Sequence, residues 1–180
     1  EREDGLRAAF EYRTDLFEPA TIDRMLARFE VLLEAFVSDP DARVSTLAML
    51  PDDERRTRQR ATFVRNLRFA CGEAAAQGVT VLIEALNPGD APNYLFSTQA
   101  EANAIRMEVG ASNLRLQLDL YHTQIVEGDL SDKIRRYLPH VGHIQIAGVP
   151  GRHEPDIGEI NYAWIFRLLD ELRYDGFVGC

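Results

Sequence analysis

Apolar positions follow two different rhythms along this chain of 180 residues. Near the start, Leu6, Ala8, Phe10 and Tyr12 share one face, with Arg7, Glu11 and Arg13 on the other. That period of two predicts a half-buried strand. From Ile22 the spacing becomes helical, through Met25, Leu26, Phe29, Leu32, Leu33, Phe36 and Val37. Pro19 falls in the first turn, where its missing N–H is harmless, and Ser38-Asp39-Pro40-Asp41 ends the run. A short apolar hook, Thr46 to Pro51, precedes a charge run from Asp52 to Arg60 that reads as a solvated linker.

After Arg60 the pattern repeats. Helices are predicted at about Phe63 to Gln77, Thr98 to Val109, Asp129 to Leu138 and Tyr162 to Arg173. The first two run into Gly78 and Gly110, a common helix ending. Between and after them lie four apolar runs: Val79 to Glu84, Leu114 to Asp119, His143 to Ala147, and Phe177 to Cys180. Strands alternating with helices pair in parallel, because a parallel crossover needs a connection of helix length. The run ends Glu84, Asp119, Gln145 and Cys180 recur at intervals of about 25 to 35 residues, the repeat of an eight-unit (β/α)₈ barrel of ~250 residues. The predicted class is therefore α/β: residues 61–180 form about four βα units of a TIM barrel, preceded at 1–60 by an unrelated strand–helix segment. Four parallel strands leave two open sheet edges, through which a homo-oligomer can form.

Composition narrows the partners. An apolar fraction of 46% and a charged fraction of 27% suit a soluble globular protein. The net charge of −9 offers no basic stripe to phosphates, so no nucleic-acid partner is expected. A small anionic substrate stays open, since one buried Arg can dominate the field of a pocket. Lys133 is the sole lysine. Two cysteines, Cys71 and Cys180, are too few for a disulfide framework and read as free thiols. No apolar run approaches the ~20 residues of a membrane helix, and Glu1-Arg2-Glu3-Asp4 is acidic where a signal peptide is basic. The expected location is the cytoplasm.

Candidate chemistry sits at the strand ends, where such barrels carry their active sites. Glu84 ends the first apolar run of the repeat and Asp119 the second, with His122 three residues on. Gln145 lies inside His143-Ile144-Gln145-Ile146, where an amide is costly unless paired. Singly, each reads equally as a solvent-facing acid, a satisfied histidine or a capped amide. Together, Glu84, Asp119 and Gln145 supply oxygen ligands of the kind Mg²⁺ or Mn²⁺ accepts, and such a cation polarises a substrate carbonyl or hydroxyl.

Several of these segments also carry a family resemblance. Val81-Leu82-Ile83-Glu84-Ala85-Leu86-Asn87, Leu116 to His122, Gly142 to Ala147, Pro150 to Pro155, Gly158 to Tyr162 and Gly176 to Cys180 resemble the second half of hydroxypyruvate isomerases. These belong to the sugar-isomerase-like barrels that include 2-oxo-tetronate isomerases and ketose 3-epimerases. The resemblance runs from about Thr62 to Cys180. It implies aldose–ketose isomerisation, hydroxypyruvate to tartronate semialdehyde, through a metal-stabilised ene-diolate. By position, it implies Glu84 as catalytic base and metal ligand and Asp119 and Gln145 as metal ligands. His122 and Arg152 become the groups that orient a small hydroxy-carbonyl acid. Arg152 suits a carboxylate because its fork grips two oxygens; otherwise it is a surface-loop arginine. Ketose 3-epimerisation and metal-dependent phosphodiester hydrolysis occur on related barrels. Gln145, where the epimerases have histidine, favours the hydroxypyruvate branch.

The resemblance also sets expectations against full activity. In the family a second glutamate follows the Gly-Cys strand directly, and this sequence ends at Cys180. Residues 5–58 instead resemble the C-terminal end of a non-ribosomal peptide synthetase condensation domain, through Phe10 to Phe17, the helix to Phe36 and the exit from Leu47 to Arg56. The His-His-x-x-x-Asp-Gly motif of those domains is missing, so no condensation activity is implied. Little isomerase turnover is expected from the chain alone, and a non-catalytic composite of two fragments is the alternative.

Overall fold

The structure, a computed structural model, describes residues 9–180. It divides into two compact units, Glu1–Arg58 and Gln59–Cys180. In the first, helix α1 spans Pro19–Ser38 with proline in its first turn, and Asp39 N–H closes it by donating to the Ala35 carbonyl at 3.2 Å. Of its apolar stripe only Ile22 is buried, while Met25, Phe29, Leu33 and Phe36 stay exposed. The expected strand is not formed where the structure describes it. Residues 9–13 carry no strand, and Leu6 to Ala8 lie outside the described residues. Phe10 does pack edge-on against Phe29, with ring centroids 5.6 Å apart. Among the described residues no strand lies beside it to satisfy its N–H and C=O groups, and alternation alone makes no sheet.

The charge run expected as a linker is helical instead. Helix α2 spans Asp52–Ala75 and starts with three acids, Asp52, Asp53 and Glu54, in its first turn. Acids there complement the helix dipole. Arg55 then pairs with Asp52 at 2.8 Å and Arg58 with Glu54 at 2.9 Å, the spacings at which helical side chains meet. The blocks of charge are a helix start.

The second unit is a four-stranded sheet in the order β1-β2-β3-β4, all parallel. Its strands are β1 (Val81–Glu84), β2 (Leu114–Asp119), β3 (Val141–Gln145) and β4 (Val178–Gly179). The connecting helices are α3 (Gln99–Val109), α4 (Leu120–Val126), α5 (Leu130–Tyr137) and α6 (Tyr162–Glu171). A capping box starts α3, with Thr98 and Glu101 each accepting from the other's backbone. Ile83, Leu114, Leu116, Leu118, Val141 and Ile144 turn one sheet face into a core shared with the helices. Arg115, Gln117 and Asp119 alternate with the leucines of β2 and so project from the other face. Cys71 is buried and Cys180 exposed, both as free thiols. Among the described residues no helix is long and apolar enough to cross a membrane.

One irregularity decides which residue of β3 reaches the site. Leu116 pairs with Val141, but Gln117 pairs with His143, so Gly142 is an extra residue. The bulge reverses the alternation: Val141 and Ile144 both face the core, and Gln145 faces away from it, opposite Asp119. Glycine is needed here, since a Cβ at 142 would lie 2.8 Å from Leu82 Cδ2 and 2.9 Å from Arg115 Cβ.

Candidate active site

The register of the sheet assembles the site. Glu84, the last residue of β1, pairs with Gln117, and Asp119, the last of β2, pairs with Gln145. Neighbouring residues in parallel register point to one face, so all four side chains gather at the C-terminal edge. Asp119 is also the N-cap of α4. Its Oδ1 accepts from Tyr121 N–H at 2.8 Å, and its backbone carbonyl accepts from Thr123 Oγ1 at 2.7 Å. This short helix of about two turns, which periodicity does not reveal, swings His122 back over the strand ends.

His122 is buried, with Nε2 lying 3.8 Å from Glu84 Oε1 and 3.7 Å from Asp119 Oδ2. Among the described residues neither Glu84 Oε1 nor His122 Nε2 has a hydrogen-bond partner, although both atoms are shut away from solvent. Unpaired buried polar atoms are expensive, and two facing each other mark a place built for something else. Ligand atoms of Glu84, Asp119 and His122 all lie within 4.8 Å of one another. The donor set fits a divalent cation: two carboxylates in a buried site, one of them short of a partner. Burial, then the nearby charge of Asp119, pushes the Glu84 carboxyl up to about 7. His122 is shifted down from its ordinary value, chiefly by burial. Gln145 Oε1 meanwhile accepts from Gln117 Nε2 at 2.7 Å, which gives a partner to the carbonyl end of the amide that looked costly in a strand.

Arg152 reaches the cluster from the loop after β3. Its Nη2 lies 3.2 Å from Asp119 Oδ2 and its Nη1 3.9 Å from Asp90 Oδ2, and its guanidinium stacks over the Tyr121 ring at 5.1 Å. The loop folds back on itself, with Gly148 N–H donating to the His153 carbonyl at 2.7 Å and Glu159 N–H to the Val149 carbonyl at 2.8 Å. At Gly158, where φ is +114, a Cβ would sit 2.2 Å from the Val149 carbonyl oxygen. Only glycine fits there.

The five residues singled out in the sequence, Glu84, Asp119, His122, Gln145 and Arg152, are thus brought to one edge of the sheet. Sequence reasoning missed Gln117, Asn87, Asp90 and Tyr121. Gln117 was findable, because it stands between Arg115 and Asp119 in the alternation of β2. Asn87 and Asp90 follow β1 in a loop where no periodicity operates. Asn87 is buried against His122, and burial, then the neighbouring Asp90, raises the Tyr121 phenol above the ordinary range.

Comparison with known proteins fits this geometry. A family model described as the xylose isomerase-like TIM barrel matches residues 26–180, and the chain belongs to that family. It is 54% identical over 139 residues to a 2-oxo-tetronate isomerase from Cupriavidus necator, a match covering 77% of this chain and 54% of the relative. It is 38% identical over 120 residues to a hydroxypyruvate isomerase from Escherichia coli, covering 67% of this chain and 46% of that protein. Among solved structures, one described as an AP endonuclease, family 2, from Brucella melitensis superposes with a TM-score of 0.68 at 44% identity, over 69% of this chain and 48% of the other. The chain spans about half the length of the curated relatives it matches. The family match begins at residue 26, inside the segment whose residues resemble a condensation domain.

Proposed function

We propose that the strand-end cluster is the site of a metal-dependent aldose–ketose isomerase acting on a small 2-oxo acid with a hydroxyl on the adjacent carbon. Hydroxypyruvate, converted to tartronate semialdehyde, is the simplest such substrate. The observation that carries the reading is the pair of buried, unpartnered atoms, Glu84 Oε1 and His122 Nε2, converging beside Asp119. Relatives named for 2-oxo-tetronate and hydroxypyruvate support the substrate class.

In this reading Glu84, Asp119 and Gln145 hold Mg²⁺ or Mn²⁺, which when bound polarises the substrate's carbonyl and hydroxyl oxygens. Glu84 removes a proton from the hydroxylated C3, and the C–H electron pair moves toward C2 to give an ene-diolate. Proton return at C2, with the O3 hydroxyl proton passing to O2 as C3 becomes the aldehyde, completes the isomerisation. A carboxyl raised toward neutrality suits a general base. His122 orients an oxygen of the substrate, and Arg152 grips its carboxylate with the face of its fork not engaged by Asp119.

Proton abstraction needs only the first base, so it can be read apart from turnover. In D₂O with Mn²⁺ or Mg²⁺, the C3 protons of hydroxypyruvate are expected to exchange with solvent in proportion to enzyme. Absence of any exchange with the cation demonstrably bound would overturn the reading. Arg152→Lys keeps the charge and loses the fork, and is expected to raise KM for hydroxypyruvate about tenfold with little change in kcat. A fall in kcat alone would place Arg152 at the reacting carbons instead.

A further inference from the structure

We propose that Asn87 is a positioning residue that fixes His122 as the tautomer protonated on Nε2, so that His122 donates a hydrogen bond to a substrate oxygen and is not a ligand of the cation. The case starts from groups whose polarity is not open to choice. The backbone N–H of Asn87 can only donate, and it lies 3.3 Å from His122 Nδ1. Backbone N–H of Asp90 can likewise only donate, and it lies 3.0 Å from Asn87 Oδ1. That contact orients an amide whose two ends are otherwise hard to tell apart, because the end facing Asp90 N–H must be the oxygen. Asn87 Nδ2 is then the atom 2.8 Å from His122 Nδ1.

Two donors therefore converge on Nδ1, which must offer its lone pair. A neutral imidazole has one bare nitrogen and one N–H, so the proton sits on Nε2. The opposite tautomer would place three hydrogens against one another in a site where both residues are nearly inaccessible, at 1% and 2% exposure. Nε2–H then points into the space between Glu84 Oε1 and Asp119 Oδ2. Both oxygens are beyond hydrogen-bond length, at 3.8 and 3.7 Å. A substrate hydroxyl or carbonyl oxygen entering that space meets a donor already aimed at it, while the cation takes its ligands from the carboxylates. The tautomer follows from the hydrogen bonds alone; its catalytic use rests on the isomerase reading.

The test is ¹⁵N NMR of the chain labelled at histidine. Four histidines are present, and the signals lost in His122→Gln assign the one in question. In the wild-type chain Nε2 is expected to carry the proton and Nδ1 to give the bare-nitrogen resonance, unchanged in type when Mg²⁺ is added. A proton on Nδ1 would overturn the proposal, as would coupling of Nε2 to ¹¹³Cd²⁺ bound in the site. Asn87→Asp replaces the donors' amide with an acceptor and is expected to shift the proton to Nδ1; no shift in a folded variant counts against Asn87 as the cause. In the exchange assay Asn87→Asp should lower the rate at saturating hydroxypyruvate about tenfold or more. If no variant and no wild-type sample exchanges protons, the isomerase reading fails while the wild-type tautomer still decides this proposal.

Discussion

Asp119→Asn is expected to weaken Mn²⁺ binding by at least about 100-fold and to remove hydroxypyruvate proton exchange altogether. The residue is fully buried and sits where every part of the site meets. Its Oδ2 faces both Arg152 Nη2 and His122 Nε2, and its Oδ1 caps α4. Asparagine keeps an oxygen for the cap but turns an NH₂ group toward either the guanidinium or the cation, and both contacts become repulsive. Even residues that merely support a metal ligand change affinity by about 10- to 100-fold, so loss of a charged ligand sets the lower bound used here. Calorimetric titration with Mn²⁺ gives the affinity, and circular dichroism establishes that the variant is folded. Unchanged Mn²⁺ affinity would remove Asp119 from the ligand set.

A second substitution separates function from stability at one atom pair. Glu84→Gln is expected to lower C3 proton exchange by about 100-fold or more, since an amide cannot take the proton, yet to make the metal-free chain more stable at alkaline pH. The carboxyl is held near 7, above the ordinary 4.5, because burial and Asp119 oppose its charge. A group raised in the folded state contributes stability that is full below about 4.5 and is lost as pH rises through about 7. Wild-type protein without metal should therefore lose thermal stability relative to Glu84→Gln between pH 5 and pH 8. From pH 5 to pH 8 the gap should widen by about 2.5 kcal/mol, or several degrees in Tm. Added Mn²⁺ should restore the wild type and leave the variant unmoved. Thermal melts at the two pH values, with and without Mn²⁺, read all four cases. A wild type whose Tm is flat against the variant would mean that the two carboxylates do not share a charge-starved site.

What the sequence made legible follows from what its patterns encode. Each apolar run of the repeat shows where a buried parallel strand lies, and a polar residue at its end stands out, so Glu84 and Asp119 could be named in advance. Gln145 stands out in the sequence as an amide among apolar residues. That it faces the site, however, depends on the Gly142 bulge, which only strand pairing reveals. His122 counted as a neighbour of Asp119, but its convergence with Glu84 needs α4, seven residues long and too short for periodicity to announce. Asn87 and Asp90 act through backbone N–H groups placed by a loop, and no residue pattern records such placements. The errors have the same origin. Alternation at Phe10 and Tyr12 suggests a strand, but among the described residues nothing pairs with it. The acids and arginines from Asp52 to Arg60 suggested a linker because their i to i+3 and i+4 pairing was read as mere charge.

The central claim is that the strand ends of β1 and β2 hold a divalent cation between Glu84 and Asp119, with His122 serving as donor beside it. Anomalous diffraction from crystals of the chain soaked in Mn²⁺ tests this directly. One strong peak is expected at roughly 2.2 Å from carboxylate oxygens of both Glu84 and Asp119, with His122 Nε2 outside coordinating distance. A peak bound to His122 Nε2, or saturating Mn²⁺ with no peak at these carboxylates, would contradict it.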